Sequence, residues 1–363
     1  MLTRLALEVL IPVIVIRIAI MVFAWIAVAN QPGATNNGFG IWNHWDGPHF
    51  LEIAATGYGP PSDPARIVLF PLYPASIVLL EPLFAPLDAA MLSSLIATLL
   101  AAVGLYQLVR LDSPQGVARL SVIAMAVFPT AYAFVAPYSE ALFLALSVWA
   151  FVAVRRDQMM TAGILGALAA ATRIQGVFIA PALLIEYLVL RRRIDKDIFW
   201  IFFVGSGLLL YLGINWYYFH DPLYFVQVQK TTFFVQNTMP WEALTSLWNR
   251  VSAGWGTPEN FESWVTVALA PLVSFAFLAV VTVWAAISKR SRPSYAVYTA
   301  ISLIAFSSLS WPISVPRYIL GVFPIFIAIG SWSKPLLGKT ILIASVVMLA
   351  AFTRLFVIGH WAF

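Results

Sequence analysis

The sequence predicts an all-α polytopic membrane protein, and three observations carry that reading. The chain has 363 residues, of which 61% are hydrophobic and only 10% charged. Its mean hydropathy is +0.87. Soluble chains carry about 25% charged residues, so this chain cannot solvate an ordinary surface. Apolar runs recur from end to end without the alternation of barrel strands. In hydrocarbon the backbone must then satisfy itself within helices.

The apolar runs place eleven spans, near residues 8–29, 88–110, 118–135, 140–155, 160–173, 176–190, 198–217, 263–288, 295–311, 317–332 and 339–359. No internal repeat emerges, and the whole chain, 1–363, reads as a single membrane domain. The basic clusters orient it. They are Arg110 with Arg119, Arg155–Arg156, Arg191–Arg193 with Lys196, Lys289–Arg290 with Arg292, and Lys334 with Lys339. Positive residues favour the cytoplasmic side. This puts the N-terminus inside and makes 30–87 the first outer loop and 215–262 a large outer loop. The stretch Ile67–Phe84 conflicts in length. It holds Pro71, Pro74, Pro82 and Glu81, poor passengers for a spanning helix. The reading therefore lays it along the outer interface, with a twelve-span topology as the alternative. Chemistry is expected at the outer face, because the inner loops are short.

Composition excludes several classes. There is no cysteine, so neither disulfides nor thiolate metal sites are available. The net charge of +5 is distributed as topology requires and is no nucleic-acid signal. No glycine-rich phosphate loop occurs.

Polar residues in an apolar chain mark the candidate site. Asp46 follows Trp45 at the start of a short amphipathic helix that carries Phe50, Ile53 and Ala54 on one face. It can act as a helix-start carboxylate or as a base. His44 and His49 flank it, which leaves a divalent cation open although the spacing fits no standard motif. Glu140 opens a span after Tyr138-Ser139, with Ser139 placed as its N-cap. Arg173, followed by Gln175, and Arg317, followed by Tyr318, stand on the outer side against the charge bias. They either snorkel to the interface or bind a phosphate through the guanidinium fork. His220 and Asp221 lie in the large outer loop with many aromatics, Trp241, Trp248 and Trp255 among them. Such rings form interfacial belts, and they also stack on sugar faces.

Taken in order, Trp45-Asp46-x-x-His49-Phe50, Gly57-Tyr58, Phe70-Pro71-Leu72-Tyr73-Pro74, Phe128-Pro129-Thr130, Ala136-Pro137-Tyr138-Ser139-Glu140, Arg173-x-x-Gly176, Asp221-Pro222 and Arg317-Tyr318 form a set. It resembles the PIG-V-type mannosyltransferases, which include the second mannosyltransferase of GPI-anchor assembly and its prokaryotic relatives. Arg173-Ile174-Gln175-Gly176 departs from the eukaryotic pattern, where Ser-Asn tends to follow the arginine. The resemblance implies a GT-C glycosyltransferase fold with interfacial helices in its first outer loop. It also implies a polyprenyl-phosphate-linked sugar donor, typically mannose, and a lipid, glycan or protein acceptor. On that reading Asp46 is the catalytic base of an inverting displacement. Trp45, His49, Tyr138, Glu140, Arg173, Gln175, His220, Asp221, Arg317 and Tyr318 bind substrate. The rival reading is a transporter or lipid flippase, whose inverted repeats and broken mid-membrane helices the sequence does not display.

Overall fold

A computed structural model describes residues 5–31, 38–59, 63–254, 261–332 and 335–363. Trp255 and Lys334 lie outside the described residues, as do parts of both predicted outer loops. Among the described residues the chain is helical throughout, and a lone bridge pairs Asn237 with Leu309. Six helices are long and apolar enough to cross a membrane. The protein is an integral membrane protein, and these six helices overlap the apolar runs near 8–29, 88–110, 176–190, 198–217, 263–288 and 339–359.

The helices follow in chain order. They are α1 (Ala6–Ala29), α2 (Asp46–Thr56), α3 (Leu72–Leu80), α4 (Pro86–Arg110), α5 (Gln115–Ala126), α6 (Glu140–Arg155), α7 (Met159–Thr172) and α8 (Ile174–Arg191). After them come α9 (Ile198–Phe219), α10 (Tyr224–Thr231), α11 (Pro240–Gly254), α12 (Phe261–Ile287), α13 (Pro293–Ser307), α14 (Val315–Tyr318), α15 (Pro324–Ser331) and α16 (Pro335–Val357). The stretch Ile67–Phe84 does not form one helix. It breaks into a 3₁₀ turn and the nine-residue α3. At 1.5 Å per residue α3 reaches about 14 Å, half of a hydrocarbon core. Leu79 and Leu83 stand exposed on and just beyond it.

The bundle is organised around α6. Its sides read Ala141, Phe143, Leu144, Ala145, Val148 and Ala150–Val154, all buried. A helix that is apolar all round belongs in a core. It packs against α4, α7 and α8. Its two ends carry separate ionic networks. Arg155 at the C-terminal end meets Asp112 at 2.6 Å and Glu186 at 3.2 Å, and Arg292 meets Glu186 at 2.7 Å. Glu140 at the N-terminal end belongs to the site described below.

Two predicted spans are not continuous. The 118–135 run ends as a helix at Ala126, because Pro129 cannot continue it and biases the preceding residue away from helical angles. The chain then runs through 127–139 with a single 3₁₀ turn, Ala131–Phe134, and almost every residue is buried. Non-helical backbone inside a membrane protein must find internal partners. Here Ser94 Oγ donates to the Ala136 carbonyl at 3.0 Å, and Thr98 Oγ1, which donates to the Ser94 carbonyl at 2.6 Å, stands 3.4 Å from that of Phe134. The 317–332 run is likewise divided into α14, a 3₁₀ turn and α15.

Helices α7 and α9 touch through glycine. A Cβ at Gly207 would run into the Ala167 carbonyl, whereas one at Gly213 on the same helix would meet nothing. Small residues permit such close approach between membrane helices. Gly207→Ala should therefore cost about 1–3 kcal/mol through overpacking. Gly213→Ala should be neutral or slightly stabilising through helix propensity. Thermal unfolding of the two variants in detergent checks the contrast; equal midpoints would contradict the packing.

Candidate active site

Four separate stretches deliver charge to one place. Helix α2 starts at Asp46 after a tight turn in which the Gly47 N–H donates to the His44 carbonyl at 3.0 Å. Trp45 occupies that turn with φ 55° and ψ −108°, a region that favours glycine. Such strain costs about 1–3 kcal/mol and persists only where surroundings impose it. They do so here. The Tyr138 hydroxyl donates to the His44 carbonyl at 3.1 Å, and the Trp45 ring meets Trp361 edge-on at 5.0 Å.

The second stretch is Tyr138-Ser139-Glu140, delivered by the buried segment 127–139. The third supplies Arg173, between α7 and α8, and the fourth Arg317, in α14. The Thr130 hydroxyl fastens α14 to the buried segment by donating to the Pro316 carbonyl at 2.9 Å.

Glu140 is the common partner. Its Oε1 lies 2.6 Å from Arg173 Nη1 and 3.2 Å from Arg317 Nε. Arg317 Nη2 reaches Asp46 Oδ2 at 2.6 Å. Arg173 Nη1 also donates to Ser139 Oγ at 3.0 Å, and its Nε to Gln175 Oε1 at 3.2 Å. The aromatic rings complete the enclosure. The Arg317 guanidinium stands 4.7 Å from the Tyr138 ring centre, and that of Arg173 5.4 Å from Tyr318. These bonds leave Arg173 Nη2 and Arg317 Nη1 without a protein hydrogen bond or ion pair among the described residues.

The two carboxylates differ in access. The Glu140 side chain is 3% exposed and that of Asp46 31%. Glu140 can therefore hold the arginines but cannot reach a substrate. Asp46 is partly open to solvent, and its Oδ1 makes no hydrogen bond or ion pair among the described residues.

Several residues are placed differently from the sequence reading. Ser139 makes no side-chain cap on α6, because its hydroxyl serves Arg173. Asp46 does stand in the first turn of α2, but its carboxylate also pairs with Arg317. His220 and Asp221 form no hydrogen bond or ion pair with the cluster among the described residues. Asp221 accepts from the Leu223 N–H at 2.8 Å at the entry of α10, and His220 is exposed in a left-handed turn that ends α9. Their dense polar spacing in the sequence reflects turn chemistry. His49 is half-buried on α2 without a hydrogen bond or ion pair among the described residues, and Trp45 offers an exposed indole at the mouth. Among the described residues no group of three or more His, Asp or Glu side chains is arranged to hold a metal. His44 turns its ring edge-on to Phe356 at 5.7 Å. Trp361 was not visible as a neighbour of Trp45, because nothing local links residues so far apart.

Fold and site together define a polytopic membrane protein with a buried cluster of two arginines and two carboxylates, open at one acid. A family profile described as dolichyl-phosphate-mannose-protein mannosyltransferase matches residues 71–218, less than half of the chain. Among solved structures, the chain is similar to the Archaeoglobus fulgidus oligosaccharyltransferase in complex with zinc and sulfate. There the identity is 12% and the TM-score 0.49, with 93% of this chain and 53% of that one covered. It is also similar to ArnT from Cupriavidus metallidurans bound to undecaprenyl phosphate, at 14% identity and a TM-score of 0.39, covering 96% and 77%. The chain thus spans about half the length of the archaeal enzyme it matches. No curated protein matches it.

Two outcomes follow from the geometry. Glu140→Ala should cost about 3–5 kcal/mol of stability, since it leaves two buried guanidinium groups without their shared acid. Asp46→Ala should cost about 1 kcal/mol or less, as expected for a partly exposed partner. Comparing their unfolding midpoints tests this; equal losses would contradict the assignment of Glu140 as the buried hub. Burial also holds the His44 imidazole below its ordinary pKa of 6.5, against a smaller upward pull from the Val357 backbone. The unfolded chain then binds more protons than the folded one near and below pH 6.5. Stability is retained above that pH and lost as pH falls through it. His44→Phe should flatten this part of a melting-temperature profile, and an unchanged slope would exclude His44 as its source.

Proposed function

We propose that the protein is a membrane glycosyltransferase that moves a hexose, mannose in the first instance, from a polyprenyl-phosphate donor to an acceptor hydroxyl. The single observation that carries this reading is the convergence of Arg173, Arg317, Glu140 and Asp46, with Asp46 as the accessible acid. The family profile over residues 71–218 supports it, since its description names a dolichyl-phosphate-linked mannose. The charge bias supports an extracytoplasmic site in the cell membrane. Arg155 and Arg292 form their network at the far end of α6 from Glu140, and basic residues favour the cytoplasmic side.

The reaction is a single displacement with inversion. An acceptor oxygen forms a bond to the anomeric carbon while the bond from that carbon to the phosphate oxygen breaks. The bonding pair leaves on the polyprenyl phosphate. Asp46 Oδ1 takes the proton of the attacking hydroxyl, a contribution of about 10²–10⁴-fold. Arg173 Nη2 and Arg317 Nη1 hold the phosphate as charge builds on it, the electrostatic stabilisation that dominates many such reactions. Glu140 and Gln175 orient the two guanidinium groups. Trp45, Tyr318 and His49 offer rings and edges to the sugar, and the buried Tyr138 supports Arg317 from beneath. The acceptor can be a lipid, a glycan or a protein.

Purified protein supplied with polyprenyl-phosphate mannose provides the test. Asp46→Asn should lower transfer at least about 10²-fold with folding retained, and near-normal transfer would remove Asp46 as the base. Arg317→Lys should raise the KM for donor more than that for acceptor, because a single ammonium cannot replace the fork. The opposite pattern would remove it as the phosphate clamp.

A further inference from the structure

Arg17 lies in the middle of α1, whose apolar window has a mean hydropathy of 2.7. A charge there costs about 2.5–3.5 kcal/mol on insertion scales. The side chain is not turned to lipid or to the interface, since the residue is 8% exposed. Nor does it pair with a carboxylate among the described residues. Its guanidinium donates to three backbone carbonyls, those of Phe134, Val135 at 3.4 Å and Met91 at 3.3 Å.

Two of these acceptors belong to the unwound segment 127–139. That segment has left helical geometry at Pro129, and among the described residues no backbone N–H outside regular helix bonding serves the Phe134 and Val135 carbonyls. A buried carbonyl left unmade costs about 1–3 kcal/mol. A hydroxyl carries one donor, whereas a guanidinium carries five in a rigid fork. Only the latter can serve carbonyls of two different segments at once. Phe134 and Val135 stand just before Ala136-Pro137-Tyr138-Ser139-Glu140, and every residue of 131–140 is buried. Fixing those two carbonyls fixes the height at which the Tyr138 ring meets Arg317 and Glu140 meets both arginines.

We infer that Arg17 is a positioning residue for the active site, locking the unwound segment so that Glu140 can hold Arg173 and Arg317. This rests on the proposed function only for its catalytic consequence; the mechanical claim stands apart.

The chain has no cysteine, so a single introduced thiol reports without background. Ala136 is fully buried in the locked segment, and Ala150 is fully buried in α6. Full-length protein carrying Ala136→Cys or Ala150→Cys is treated in detergent with a small maleimide, with Arg17 intact or replaced by Met or Lys. Arg17→Met should raise labelling at position 136 at least about tenfold, the change expected for loss of local protection, and leave position 150 unchanged. Arg17→Lys, with three donors on a compact head, should fall between and serves where the Met variant fails to fold. Equal increases at both positions, or none at 136, would overturn the inference. In the transfer assay, Arg17→Met combined with Glu140→Gln should be no slower than Glu140→Gln alone. Multiplying losses would show that Arg17 acts through general stability instead. Absence of transfer by the unaltered protein would defeat the functional reading while the labelling result still decides the role of Arg17.

Discussion

One buried carboxylate oxygen, Glu140 Oε1, holds two guanidinium groups at 2.6 and 3.2 Å. Each arginine comes from a different part of the chain, and each would be costly to bury alone. Their shared acid draws the α7–α8 connection and α14 to the N-terminal end of α6. The positive charge left over on that side then recruits Asp46, which closes the first outer segment onto the same point. The arrangement is neutral as it stands, with two acids and two arginines. Asp46 is its most exposed member.

The bundle exists to hold that end of α6 still. Helix α6 is surrounded on every side, so its N-terminus cannot drift. The segment before it departs from helix because of Pro129, and this allows Tyr138 and Glu140 to approach from the side instead of along a helical axis. Side-chain donors on α1 and α4 replace the missing helical ones. The strained turn at Trp45 has the same character. Tyr138 holds the carbonyl of His44, so the residue that cushions Arg317 also sets the start of α2. A strained turn and an unwound segment thus meet at the cluster.

Much of this was legible in the sequence. Asp46, Glu140, Arg173 and Arg317 stand out because a charge in an apolar chain is expensive and needs a reason. The spans are legible from hydropathy, and the three prolines in 71–82 speak against a helix there that crosses the membrane. What the sequence withholds is pairing. Nothing in its spacing says that Glu140 meets both arginines, or that Ser139 serves Arg173 instead of capping its own helix. The turn contacts of His220 and Asp221 are hidden for the same reason, since a polar turn and a polar site look alike in one dimension. The role of Arg17 is not legible in the sequence because its partners are backbone carbonyls, which leave no mark on residue type. The broken 118–135 run shows hydropathy at its limit, because buried loop and buried helix have the same composition.

The account is tested most directly by incubating the purified, unaltered protein with polyprenyl-phosphate mannose and a membrane extract, then following donor and products by mass spectrometry. It predicts that polyprenyl phosphate is released in step with the appearance of a hexose on a new acceptor. Donor that stays intact in the presence of every acceptor pool, or that moves across a bilayer without cleavage, would contradict it.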